Sequence, residues 1–95
     1  MKRSEIKVGT VFVETYHNGQ HTNVYKVSHL LSKREIKVVL CSASNKEIYE
    51  VSYERLCSED PGYPVYRVAT DIEIALYAPE ELEKENTYDS PCLLP

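Results

Sequence analysis

The chain has 95 residues, a formal net charge of −4 and 42% hydrophobic residues, which bounds it to one domain with a single core and leaves no room for a separate substrate domain. Residues 1–69 hold ten Lys or Arg against eight acids, whereas residues 70–95 hold Lys84 alone against seven acids. A near-neutral body (1–69) followed by an acidic segment (70–95) argues against a general nucleic-acid binder, although it leaves a local basic strip open.

The element that organises the chain is a hairpin at His17-Asn18-Gly19-Gln20. Asn-Gly between two alternating apolar segments is the strongest short hairpin signal, because a type I′ turn needs positive φ at both central residues. Counting outward sets Thr15 opposite Thr22, Val13 opposite Val24 and Phe12 opposite Tyr25. The first strand is expected over Ile6 to Tyr16, bent at Gly9, and the second over Val24 to His29. A third strand, Ile36 to Ser42, and a fourth, Glu47 to Tyr53, form a second hairpin around Asn45-Lys46, with Leu40 facing Val51 and Val38 facing Tyr53.

Glu54-Arg55-Leu56 suits a single 3₁₀ turn that tucks Leu56 into the core. Cys57 to Pro64 is a loop on its Pro and Gly content, and Val65 to Ala69 is a fifth strand. Over Asp71 to Ala78 a capping-box pattern, Thr70 with Glu73, competes with strand-like alternation; the cap selects a helix with Ile72, Ala75, Leu76 and Pro79 on one face. Pro79 to Glu85 is a further acidic helical stretch, and the chain from Asn86 lacks periodicity.

This order of elements, carried by Val8-Gly9-Thr10-Val11-Phe12, Asn18-Gly19-Gln20 and Ser52-Tyr53-Glu54-Arg55-Leu56, resembles the small five-stranded barrels of the Src-homology and Tudor type over residues 6–69. The expected fold is therefore mainly β, a small five-stranded barrel with a short C-terminal helix. In style the chain also resembles short bacteriophage-encoded proteins. Such barrels commonly bind peptides, protein surfaces or nucleic acids, and few are enzymes; the fold alone does not choose among these.

Catalytic constellations are missing. Cys41, Cys57 and Cys92 are too widely spaced for a C-x-x-C motif; Cys41 reads as a small buried hydrophobe in mid-strand, and no residue near Cys57 is an obvious general base. His17 and His21 flank the first turn without an evident third ligand, and three glycines form no phosphate-binding loop. The expectation is a non-enzymatic protein with no metal and no cofactor. The N-terminus is charged without a following apolar run, and free thiols suit a reducing compartment, so a cytoplasmic location is expected.

Two binding surfaces compete. The loop from Cys57 to Tyr66 presents Tyr63 and Tyr66 between prolines, close to Arg55, and predicts a protein-binding surface used by an inhibitor or adaptor. Lys26, Lys33, Arg34 and Lys37 form the alternative, a strip for a nucleic-acid backbone. The acidic Glu80 to Glu85 run either is solvated, folds back on the basic body or meets a basic partner. Unpaired sheet edges leave a homodimer open.

Overall fold

The computed structural model describes residues 1–16 and 22–82. Within them, five strands, β1 (Val11–Thr15), β2 (Thr22–Leu30), β3 (Glu35–Leu40), β4 (Ile48–Ser52) and β5 (Val65–Val68), form one antiparallel sheet in the order β4-β3-β2-β1-β5. A 3₁₀ turn at Arg3–Glu5 precedes the sheet, helix α1 (Tyr53–Cys57) joins β4 to β5, and helix α2 (Asp71–Tyr77) follows. The protein is mainly β with a short C-terminal helix, and no helix among the described residues is long and apolar enough to cross a membrane.

The first hairpin has the register counted from its turn: Phe12 pairs with Tyr25, Val13 with Val24 and Thr15 with Thr22. The turn itself, with His17 and His21, lies outside the described residues. With β2 and β5 along its edges and a packed cluster on each face, β1 is buried throughout Val11-Phe12-Val13, which explains that unbroken apolar run. Phe12 belongs to a cluster with Ile6, Val27, Ile36, Val38, Tyr53, Leu56 and Tyr66, and Val11 and Val13 to a second with Val24, Cys41, Ala69 and Ala78. The sheet is thus covered on one face by α1 and Ile6 and on the other by α2 and Ala78.

Four expectations are corrected. The first strand does not run from Ile6: Thr10 donates to the Lys7 carbonyl at 3.0 Å in a turn, Gly9 takes φ 93°, and pairing as a strand begins only at Val11. The second hairpin is slipped by four residues, with Val38 opposite Tyr49 and Ile36 opposite Val51. Its loop is closed by the Leu40 amide on the Glu47 carbonyl at 2.8 Å, and no described non-Gly residue has the positive φ that a tight Asn45-Lys46 turn would demand. An even slip leaves every side chain on its original face, so alternation alone could not detect it.

Third, Tyr53–Cys57 is a turn of α-helix rather than 3₁₀, and the Ser52 hydroxyl caps it by accepting from the Arg55 amide at 3.2 Å; Leu56 is buried as expected. Fourth, α2 has its expected capping box, but its packed side is not the expected one. Ile72 and Leu76 remain 74% and 69% exposed, while Ile74 and Ala78 meet the sheet. Arg67 holds both Glu73 oxygens at 2.7 Å at the start of the helix. Just beyond, Glu80 and Glu81 fold back on Lys26 at 2.8 and 3.5 Å. Glu83 and Glu85 lie outside the described residues.

Candidate functional site

On the α1 side of the sheet a groove of about 390 Å³ runs between β4 and the β1–β5 pair, floored by Phe12, Leu56 and Tyr66 and walled by Tyr16, Tyr25 and Tyr49. The rings are ordered by contact with one another. Phe12 stacks on Tyr25 at 5.4 Å between centroids, Tyr66 meets Phe12 edge-on at 6.0 Å, and Tyr49 meets Tyr25 edge-on at 6.2 Å. Tyr16 and Tyr49 stay exposed at the rim.

A charged chain lies beneath the rings. Glu14 is only 4% exposed, and a buried carboxylate is tolerated only when its oxygens are bonded. Oε1 accepts from Asn23 Nδ2 at 2.9 Å and Tyr25 Oη at 3.4 Å; Oε2 accepts from Tyr66 Oη at 2.6 Å and lies 3.9 Å from Arg55 Nη2. Arg55 Nε in turn donates to Tyr66 Oη at 2.7 Å, so the proton order runs Arg55 to Tyr66 to Glu14. No buried side-chain nitrogen or oxygen among the described residues lacks a partner. Burial, and then donation to Glu14, push the Tyr66 phenol up to about 12 against the opposing pull of Arg55. Burial, with the Glu14 charge, raises Tyr25 still further.

Of the sequence-predicted partner residues, Arg55 and Tyr66 meet in this chain, and the Arg55 guanidinium lies 5.8 Å from the centre of the Tyr63 ring. Tyr66 itself is buried, its ring filling the floor, while Arg55 keeps 43% of its side chain exposed. Glu14, Tyr16, Tyr25 and Tyr49 escaped the sequence reading. The signal for Glu14 existed: the first-hairpin register places it on the same face as Phe12, an inward position for a carboxylate.

The proposed nucleic-acid strip is dispersed. Lys26 is ion-paired with Glu80 and Glu81, and Lys37 sits on β3 opposite Glu50. Lys33 and Arg34 occupy the β2–β3 turn beside Arg3, with Glu35 and Glu54 among them. Arg3 lies over the Tyr53 ring at 3.9 Å and donates to the Lys33 carbonyl.

The groove brings together rings, hydroxyls, the Arg55 guanidinium and the acidic residues Glu14 and Glu50. Cys41 is buried in the opposite cluster with its thiol pKa raised by that burial, and Cys57 lies at the end of α1. His29 is exposed, its Nδ1 3.1 Å from Ser28 Oγ. No group of three or more metal-capable side chains occurs among the described residues. The chain matches no family model, no curated protein and no solved structure.

Proposed function

We propose that this chain is a non-enzymatic protein-binding module that takes a segment of another protein into the Tyr-lined groove, as an inhibitor or adaptor of a host protein does. The observation that carries the reading is the ring floor held in place by the Arg55–Tyr66–Glu14 chain beside the exposed rings of Tyr16 and Tyr49. Tyr and Arg supply large contact area with few rotatable bonds, which is why they dominate the energetic centres of interfaces. A rigid floor also lowers the ordering cost of association.

The test is a quantitative capture from bacterial lysate with wild type, Tyr49→Ala, Arg55→Ala and, as a control on the opposite face, Leu76→Ala. Proteins retained by wild type and Leu76→Ala but lost from both groove variants are expected. Identical captures from all four proteins would remove the reading. The nucleic-acid alternative draws less support, because Lys26 is already paired and Glu35 and Glu54 interrupt the Arg3, Lys33 and Arg34 cluster. A gel shift at low salt with Lys33→Glu and Arg34→Glu checks it.

A further inference from the structure

The free edge of β4 runs along the groove, and the phase of its hydrogen bonds is set by two contacts. The Leu40 amide donates to the Glu47 carbonyl at 2.8 Å and the Tyr53 amide to the Arg34 carbonyl at 2.9 Å. In an antiparallel ladder hydrogen-bonded residues alternate with unbonded ones, so residues 47, 49, 51 and 53 bond inward to β3. The main-chain groups of Ile48 and Glu50 and the Ser52 amide therefore face away from β3, and among the described residues β4 has no second neighbour in the sheet. Tyr49 and Val51 of the same strand line the groove.

We infer that the groove's occupant is an extended partner segment that adds to β4 as a sixth strand, a deepening that rests on the protein-binding reading above. Pairing to the outward groups supplies main-chain bonds and fixes register, and side chains at alternate positions supply selectivity. Positions of the added strand beside Tyr49 and Val51 share their face and enter the groove, where Phe12 and Tyr25 favour apolar or aromatic side chains. The position beside Glu50 lies on the other face and meets its exposed carboxylate, which favours Lys or Arg. The segment is thus apolar, basic, apolar in alternation. A second copy of the chain paired about Glu50 would oppose one carboxylate to the other, which disfavours that pairing.

The experiment selects binders from a random peptide library against the full chain and measures their affinity for wild type, Tyr49→Ala, Glu50→Lys and Glu50→Pro. Proline at 50 removes an outward amide that β3 does not use, so the sheet survives, and thermal unfolding of the variant verifies this. Peptides with the alternating pattern are expected, losing about tenfold or more on Glu50→Pro and weakened by Glu50→Lys. Backbone N-methylation of one phase of peptide amides abolishes binding while the other phase tolerates it, a readout that does not depend on any protein variant. Peptides that need Tyr49 yet ignore Glu50→Pro and N-methylation would overturn strand addition and leave the groove reading standing. Selections in which nothing depends on Tyr49 overturn both. Self-association abolished by Glu50→Pro makes a second copy the occupant, which also overturns the inference.

Discussion

Glu14 concentrates the electrostatics of the groove at one residue, since four neighbours converge on a single buried carboxylate. Glu14→Gln keeps the volume but exchanges charge-assisted bonds for neutral ones and leaves Arg55 without a counter-charge. A loss of about 1–3 kcal/mol in urea denaturation is expected. Tyr66 has its own signature. Its folded pKa of about 12 exceeds the ordinary phenol value, so above pH ~10 the unfolded chain releases a proton that the folded chain retains. Stability is full below pH ~10 and falls as pH rises toward 12, and a spectrophotometric titration should show Tyr25 and Tyr66 ionising above the ordinary phenol range.

Among the elements, α2 is too short to persist without its ends being fixed, and Glu73 fixes one end twice, through Thr70 and through Arg67. The Arg67 bonds first, and then the Thr70 amide, hold its carboxyl down to about 2. The helix therefore has this support fully above pH ~4.5 and loses it as pH falls toward 2. Glu73→Gln should flatten that acid limb and lower neutral-pH stability by about 1 kcal/mol, the discount for solvent screening included. The turn before β1 depends on Gly9, whose φ of 93° strains any side chain, and where an added Cβ would lie 2.9 Å from Glu81 Oε2. Gly9→Ala should lower stability by about 1–3 kcal/mol in thermal or chemical unfolding, with Glu81 displaced from Lys26.

For the whole molecule, a folding free energy near about 5–14 kcal/mol leaves little margin, and the two clusters on β1 supply most of the burial. Phe12→Ala should cost about 3–5 kcal/mol and leave a substantial unfolded fraction at body temperature, whereas Leu76→Ala, on the exposed side of α2, should stay within about 0.5 kcal/mol of wild type. Circular dichroism melts distinguish the two.

Local chemistry determined a good part of this protein in advance. The Asn18-Gly19 signal and period-two alternation were enough for the register of β1 with β2, though not for where β1 begins, and Thr70 with Glu73 was enough for the start of α2, because each signal acts over a few residues. Arg55, Tyr63 and Tyr66 are near one another in sequence, Tyr63 between Pro61 and Pro64, and the structure brings Arg55 onto the Tyr66 hydroxyl. Tertiary structure decided the rest. The register of β3 with β4 turned on a loop conformation that an even slip conceals, and the packed side of α2 on the contact of Ile74 and Ala78 with the sheet. The groove exists because β1 pairs with both β2 and β5, bringing Tyr66 to Glu14 and Arg55 across 52 and 11 residues of chain. A carboxylate buried among rings is stable only when those distant donors arrive together, and no window of local sequence contains that condition.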